Sequence, residues 1–172
     1  MIVLLSLGSA HGTGFALYEM SARGNAMGGA LIGMTEDASA VYYNPANMVE
    51  RPGVQTLAGT TVLIPTTTQD LAGKGKWSAD QRSFLDPHAY ATWQLDDRWW
   101  LGLGEFSRFG LGTRYDPNWP GRYNNIEANV KTFSVNPNVA YKITDTLSAA
   151  AGLELMYMNI KLAKSVLPTA PV

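Results

Sequence analysis

The chain has no cysteine, and charged residues make up only 16% of its 172 residues. Without cysteine there can be no disulfide framework, thiolate metal site or cysteine nucleophile. Soluble domains carry about 25% charged residues, so the surface of this protein is poor in charge. The formal net charge is −1 and the basic residues are scattered, which argues against electrostatic attraction to nucleic acid. We therefore expect no nucleic-acid partner.

The sequence also lacks an apolar run long enough to cross a bilayer as a helix. The apolar segment at residues 1–10 is too short, and its Gly8 and Ala10 are the small residues that a signal peptidase accepts before its cleavage site. We interpret residues 1–10 as a clipped signal peptide, although the usual basic segment does not precede them. An ordinary hydrophobic strand is the alternative. Any membrane crossing must be made by strands.

Small and flexible residues dominate the next segment, up to Met48, which therefore cannot build a core of its own. Near its end, the sequence "ASAVYY" predicts a short helix. Pro45 ends this helix because the residue before a proline avoids the helical region. The step Asn44-Pro45-Ala46 thus closes the segment, just before the chain changes its pattern.

From Gly53 onward, apolar and polar residues alternate with a period of two, which is typical of strands with one wet face. The alternation predicts five strands, at residues 53–65, 84–95, 98–112, 129–143 and 147–162. Short turns at Asp96-Asp97 and at residues 144–146 join some of them, and long polar connections join the others. Short turns at one end and long loops at the other are the layout of an outer-membrane barrel.

A soluble β-sandwich is the competing interpretation, because its strands alternate in the same way. Aromatic residues near the strand ends favour the membrane, since such side chains can lie at the level of the lipid headgroups. These residues are Trp93, Trp99, Trp100, Tyr141 and Tyr157. We therefore predict an all-β chain that forms part of a transmembrane antiparallel barrel.

Residues 12–48 and 109–157 carry motifs that resemble the FadL/TodX family of outer-membrane transporters of hydrophobic compounds. The motifs are the Asn44-Pro45-Ala46 step, "WPGRY" from Trp119, Asn136-Pro137 and "AYK" from Ala140. The resemblance runs from Gly12 to Leu162. It implies the N-terminal part of a monomeric fourteen-stranded barrel in the bacterial outer membrane, surrounded by lipid and lipopolysaccharide. Residues 11–48 would form a hatch, or plug, with short helices, and residues 49–172 about five strands of the barrel.

The function implied by this resemblance is passive transport of hydrophobic small molecules, either long-chain fatty acids or hydrocarbons, without a cofactor or a metal. Asn44, Pro45 and Ala46 would join the hatch to the barrel. The cargo would leave sideways through an inward kink of the third strand, and glycine in a strand marks bends. The expected kink comprises Phe109, Gly110, Leu111 and Gly112, although these glycines could equally serve packing. Glu154, Met156 and Met158 would line the passage, or merely fill space.

A fatty-acid cargo would need a basic side chain to pair with its carboxylate. The candidates are Arg108, Arg114, Arg122, Lys161 and Lys164, and the sequence does not choose among them.

An enzyme is the second class of function to consider. His11, Asp37, Ser39 and His88 include the residue types of a Ser-His-Asp triad, but the chain has no Gly-x-Ser-x-Gly motif. We therefore expect no catalytic residue. A lipase-like barrel enzyme and a structural or adhesion barrel remain the alternatives. Ester hydrolysis that depends on Ser39 or His88 would support the enzyme, and a failure to raise uptake would support the structural barrel.

Overall fold

The structure, a computed structural model, describes residues 16–33 and 37–166. The signal-peptide interpretation of residues 1–10 lies outside these ranges. Parts of the expected hatch (11–15 and 34–36) and of the expected barrel segment (167–172) lie outside them as well. Within the described ranges, no helix has the length and apolar character needed to cross a membrane.

In the described residues, two short α-helices and one 3₁₀ helix precede nine strands. The helices are α1 (Ala22–Ala26), α2 (Ala40–Tyr43) and the 3₁₀ helix Pro45–Glu50. The strands are β1 (Val54–Leu63), β2 (Thr68–Leu71), β3 (Gly75–Ser78), β4 (Phe84–Gln94), β5 (Trp99–Phe106), β6 (Gly112–Arg114), β7 (Glu127–Lys142), β8 (Ser148–Gly152) and β9 (Leu155–Ala163).

The main sheet is antiparallel, and its strands follow the order β1-β4-β5-β7. β7 pairs with β5 and the short β6 along one edge, and with β8 and β9 along the other. The expected all-β fold is therefore confirmed, as an open part of an antiparallel barrel.

Apart from shifts of a few residues at strand ends, the sheet differs from the prediction in three places. The third strand ends at Phe106 instead of continuing to residue 112, and the chain rejoins the sheet only as β6. The fifth strand is interrupted at Leu153 and Glu154, between β8 and β9. The connection between β1 and β4, expected to be a polar loop, contains the hairpin β2–β3. Alternation does not reveal such breaks, because they leave the polarity of the two faces unchanged.

Side chains on the sheet are distributed in the opposite way to those of a soluble protein. On one face polar residues are buried: Ser134 is 0% exposed and Asn138 is 7% exposed. On the other face large apolar side chains are exposed, Leu85 to 71% and Phe133 to 47%. A soluble β-sandwich would bury its apolar face against a second sheet. An apolar outer face and a polar interior are instead the signature of a membrane barrel.

The hydrophobic core lies between the inner face of the sheet and the N-terminal segment, residues 16–33 and 37–50. Met20, Val41 and Met48 of this segment pack against Tyr90 and Phe106 of the strands. The Tyr90 hydroxyl also donates a hydrogen bond of 2.8 Å to the carbonyl oxygen of Met20. The segment therefore fills the space inside the curved sheet, although it forms little regular structure itself.

One of the aromatic residues expected at the membrane surface points inward. Trp100 is buried, and its indole N–H donates a hydrogen bond of 3.0 Å to the carbonyl oxygen of Arg51. Its neighbour Trp99 is exposed on the outer face, as are Trp93 and Tyr157. Successive side chains of a strand point to opposite faces, so two adjacent tryptophans cannot both lie in an outer girdle.

Gly102 provides the first testable prediction, because a Cβ atom there would lie 2.5 Å from the Sδ of Met48 and 2.9 Å from Cγ2 of Val41. We expect Gly102→Val to weaken docking of the N-terminal segment by about 1–3 kcal/mol, since overpacking forces neighbouring groups apart. Trypsin should then cleave the folded full-length barrel faster after Arg23, which lies in this segment. Leu101→Val, on the outer face, is the control, and equal cleavage of the two variants would contradict the packing described.

Candidate functional site

The third strand of the barrel is interrupted by an inward bend that we call the kink, residues 107–111. The ladder with β7 ends at Phe106 and resumes at Gly112. Between these points the chain turns toward the N-terminal segment, where Phe109 forms an isolated antiparallel bridge with Ala16. The amide of Leu17 donates a hydrogen bond of 3.0 Å to the carbonyl oxygen of Arg108. The kink is therefore in direct backbone contact with the N-terminal segment.

Thr132 of β7 replaces the ladder bonds that the kink loses. Its hydroxyl accepts a hydrogen bond of 2.9 Å from the amide of Phe109 and donates one to the carbonyl of the same residue. Its carbonyl oxygen accepts a hydrogen bond from the hydroxyl of Ser107. One threonine thus satisfies both backbone groups of a residue that has left the sheet.

Leu111, and not a glycine, carries the unusual backbone conformation of the kink. Its φ is 82°, and it is the one non-glycine residue with a positive φ in the described part of the chain. Its carbonyl oxygen accepts a hydrogen bond of 2.9 Å from the amide of Val130, which holds the turn in place. Gly110 and Gly112, the glycines expected at the bend, do not have a positive φ. A Cβ on Gly112 would lie 2.6 Å from the carbonyl oxygen of Ala128, so this glycine allows close strand pairing.

The kink leaves one edge of β4 without a neighbouring strand. The ladder between β4 and β5 ends at the pair Ala89–Glu105. Beyond this pair, residues 84–88 pair with β1 on one side and, among the described residues, with no strand on the other. The wall of the sheet is therefore interrupted between β4 and the kink.

Polar contacts close this opening at the end of the long loops. The amide of Asp80 donates a hydrogen bond of 2.7 Å to the carbonyl oxygen of Arg114 in β6. Nearby, Nη1 of Arg82 lies 3.6 Å from Oε1 of Glu127 in β7. The opening is consequently bounded by the Ala89–Glu105 pair at one edge, called the lower edge, and by these loop contacts at the other.

A cavity of about 420 Å³ lies at the opening. Its lining combines apolar side chains, including those of the N-terminal segment, β4 and the kink, with an equal number of polar side chains. Leu17, Phe84, Asp86, Phe109, Leu111 and Thr132 are among the lining residues. Volumes of roughly 300–1,000 Å³ are typical of sites for small molecules.

An ion pair joins the kink to the interruption of the fifth strand. The Arg108 guanidinium donates from Nε to Oε1 of Glu154 at 2.9 Å and from Nη2 to Oε2 at 2.6 Å. The Ser134 hydroxyl donates a further hydrogen bond of 2.9 Å to Glu154. The guanidinium also lies 5.3 Å from the ring centre of Tyr42. Burial raises the pKa of the Tyr42 phenol, and the positive charge of Arg108 opposes that increase.

The other residues expected to line the passage lie on the inner face. Met156 pairs with Ser134 and Met158 with Thr132, and directly paired residues share a face of the sheet. Glu154 belongs to the same surface, but its carboxylate is occupied by Arg108 and Ser134.

The step expected to join the hatch to the barrel lies between α2 and the 3₁₀ helix. Asn44 ends α2, and Pro45 begins the next helix. The Asn44 side chain donates a hydrogen bond of 2.9 Å to the carbonyl oxygen of Ile32, and the carbonyl oxygen of Ala46 accepts one of 3.0 Å from Ser148 in β8. This step thus contacts both the N-terminal segment and the sheet.

Three of the five candidate bases for a carboxylate cargo are paired with acidic residues. Arg108 binds Glu154, Arg114 lies 3.7 Å from Asp80, and Lys161 lies 2.8 Å from Glu127. Arg122 lies over the ring of Tyr123 in the loop before β7. Lys164 is exposed beyond the end of β9.

Comparison with known proteins agrees with this architecture. Residues 3–171 match the model of the family described as outer membrane protein transport protein (OMPP1/FadL/TodX). The chain belongs to this family. OMPP1/FadL/TodX proteins lie in the bacterial outer membrane, and this location holds for the present chain.

Individual relatives of the OMPP1/FadL/TodX family show how much of a whole protein the chain represents. It is 25% identical to outer membrane protein P1 of Haemophilus influenzae, over 95% of this chain and 40% of that protein. It is 26% identical to the long-chain fatty acid transport protein of Escherichia coli, over 88% of this chain and 35% of that protein. The crystal structure of a Pseudomonas aeruginosa FadL homologue superimposes with a TM-score of 0.65 and 22% identity, covering 88% of this chain and 39% of that one. The chain thus spans well under half of these relatives.

The residues considered for a catalytic triad are not assembled into one. The Ser39 hydroxyl donates to the carboxylate of Asp37 at 2.5 Å and not to a histidine. His88 lies in β4 with its Nδ1 buried, unpartnered within the described residues, and its ring stacked at 6.0 Å from Tyr90. His11 lies outside the described residues. No cluster of three potential metal ligands occurs within the described ranges.

Thr132 provides a prediction specific to the kink of this OMPP1/FadL/TodX chain. Thr132→Val removes the hydroxyl that pairs with both backbone groups of Phe109, and an unsatisfied buried group costs about 1–3 kcal/mol. We expect faster amide hydrogen exchange at Phe109 in the variant, while Thr132→Ser keeps the protection. Thr56→Val, on the outer face of β1, is the control. Unchanged exchange at Phe109 in the Thr132→Val barrel would contradict the role assigned to this hydroxyl.

Proposed function

We propose that the full-length protein carries hydrophobic compounds passively across the outer membrane, and that its cargo leaves sideways through the opening between β4 and the kink. The observation that carries this proposal is the interrupted wall with its cavity, since a closed barrel has no reason to give up ladder bonds within lipid. Membership of a family of outer-membrane transport proteins supports the general activity. A relative named for long-chain fatty acid transport supports a lipophilic cargo.

In this proposal residues 11–48 form a plug that prevents free diffusion through the barrel. The close packing of Met20, Val41 and Met48 against the strands supports that role. Asn44, Pro45 and Ala46 join the plug to the first strand of the barrel. We extend the same proposal to a monomeric barrel surrounded by lipid and lipopolysaccharide, and to residues 1–10 as the signal peptide.

Phe109, Gly110 and Leu111 of the kink, together with Gly112 at the start of β6, create the lateral exit. Its contact with Leu17 means that the plug and the exit share one surface. Met156 and Met158 offer the cargo a flexible apolar surface, because methionine adapts to varied shapes. Glu154 acts indirectly in this scheme, by holding Arg108 beside the kink.

A lipase-like barrel is the weaker alternative, because the Ser39 hydroxyl is committed to Asp37. A purely structural or adhesion barrel does not require a cavity in an interrupted wall. Ester hydrolysis that is lost in Ser39→Ala would favour the enzyme.

A bulky side chain at the mouth of the cavity tests the lateral exit. Ser83 is exposed and lines the cavity, so Ser83→Trp should obstruct it. We expect a severalfold fall in the uptake of a labelled hydrocarbon and of a labelled fatty acid by cells that rely on the full-length protein. The reason is steric: a tryptophan side chain buries about 150–250 Å² of surface.

Ala58→Trp is the matched control, because Ala58 is exposed on β1 and does not line the cavity. Heat-modifiable gel mobility would show that both variants assemble. Normal uptake by an assembled Ser83→Trp barrel would exclude this opening as the exit. Absence of uptake by the unaltered protein would reject transport as a whole.

A further inference from the structure

The cavity at the opening contains a carboxyl group that the fold itself does not use. Asp86 projects from β4, lines the cavity and is only 2% exposed. Within the described residues, neither of its carboxyl oxygens has a hydrogen-bond partner. Burying an unpaired polar group costs free energy, and burying an unpaired charge costs more. Packing alone therefore gives no reason for an acidic residue at this position.

The polar neighbours of Asp86 in the cavity are engaged with other groups. The Ser107 hydroxyl donates to the carbonyl oxygen of Thr132, and the Thr132 hydroxyl is bonded to Phe109. Nη1 of Arg82 makes no hydrogen bond but lies 3.6 Å from the carboxylate of Glu127. The cavity thus holds a buried acceptor, close to the Ser107 hydroxyl, whose two oxygens make no hydrogen bond within the described residues.

Asn129 of β7 adds a second acceptor to the same cavity. It is 7% exposed, and within the described residues its Oδ1 has no hydrogen-bond partner. Three buried acceptor oxygens of the lining, two of Asp86 and one of Asn129, thus make no hydrogen bond within the described residues. A ligand that offers a hydrogen-bond donor is the chemical complement of such a site.

Building on the proposed function, we propose that Asp86 binds the head group of the cargo at the opening, and that the preferred cargo is a neutral hydrophobic compound with a hydroxyl group, such as a phenol or an alcohol. A hydroxyl that donates to a carboxylate forms a charge-assisted hydrogen bond, which is stronger than a bond between neutral groups. An ammonium head group fits less well, because Arg82 and Lys131 line the same cavity.

A carboxylate cargo is disfavoured at this site. When ionised it cannot donate a hydrogen bond, and it would bring a second negative charge to Asp86. Arg82 and Lys131 line the same cavity, but Arg82 already lies beside Glu127. Glu105, at the lower edge of the opening, also has a buried Oε1 without a hydrogen-bond partner in the described residues. An unsubstituted hydrocarbon can enter but leaves Asp86 unpaired. The expected order of affinity is therefore phenol, then hydrocarbon, then carboxylate.

Three compounds with one skeleton test this order: 4-ethylphenol, ethylbenzene and 4-ethylbenzoate. Their binding to the purified full-length barrel in nanodiscs is measured by equilibrium dialysis, with empty nanodiscs subtracted. We expect 4-ethylphenol to bind about tenfold more tightly than 4-ethylbenzoate, because hydrogen bonds to charged groups are among the stronger ones. Binding of 4-ethylbenzoate, or of 4-ethylbenzylammonium, at least as tight as that of 4-ethylphenol would overturn the proposal without any variant being made.

Substitutions then assign the preference to Asp86. Asp86→Leu should lower the affinity for 4-ethylphenol about tenfold and leave that for ethylbenzene unchanged, since only the hydroxyl loses its acceptor. Asp86→Asn should narrow the gap between 4-ethylphenol and 4-ethylbenzoate. Asp70→Asn, on the exposed hairpin strand β2, is the matched control and should change nothing.

An unchanged ratio of 4-ethylphenol to ethylbenzene affinity in Asp86→Leu would contradict the assignment. If Asp86→Leu does not assemble, Asp86→Asn and the order of affinities in the unaltered protein still decide. Binding is measured here without transport. Intact 4-ethylphenol binding in a protein that fails to raise uptake would therefore reject the transport function and leave the role of Asp86 standing.

Discussion

The backbone of a strand in lipid must have its polar groups paired within the protein, because hydrocarbon offers them no partner. An opening in a barrel wall conflicts directly with this requirement. In the kink, other hydrogen bonds replace those of the strand ladder. The Thr132 hydroxyl pairs with both the amide and the carbonyl of Phe109, and the amide of Leu17 donates to the carbonyl oxygen of Arg108. The carbonyl of Leu111 finds the amide of Val130. The wall can be interrupted because the departing chain finds replacement partners inside the barrel.

These replacement partners couple regions that are far apart in sequence. The N-terminal segment contacts the kink through its backbone, and the Arg108 side chain connects the kink to Glu154. Glu154 stands where the fifth strand is interrupted, so the two breaks in the sheet are joined by one ion pair. Tyr42 of α2 lies against the same guanidinium. A movement of the N-terminal segment would therefore change its contacts with the kink, and hence the opening, without a change in the strands.

The positions of most strands follow from the alternation of apolar and polar residues, but the geometry of the kink does not. Alternation predicted a strand at 129–143, and β7 runs from Glu127 to Lys142, because the polarity of the two faces is visible residue by residue. The kink was expected from glycines, yet the positive φ belongs to Leu111, whose carbonyl oxygen accepts a hydrogen bond from the amide of Val130. Gly102 and Gly104 instead make room for Val41. Which purpose a glycine serves depends on neighbours that are distant in sequence.

For Asp86, too, the sequence predicts the face of the sheet but not the contacts of the side chain. Its position on the inner face follows from alternation, but its lack of a partner depends on where the neighbouring strand ends. The chain supplies counter-charges elsewhere: Glu154 has Arg108, and Glu127 has Lys161. Arg82 lines the cavity of Asp86 and yet lies beside Glu127. A cation thus lines the same cavity but lies beside Glu127, and Asp86 keeps the negative charge that the binding role proposed for it requires.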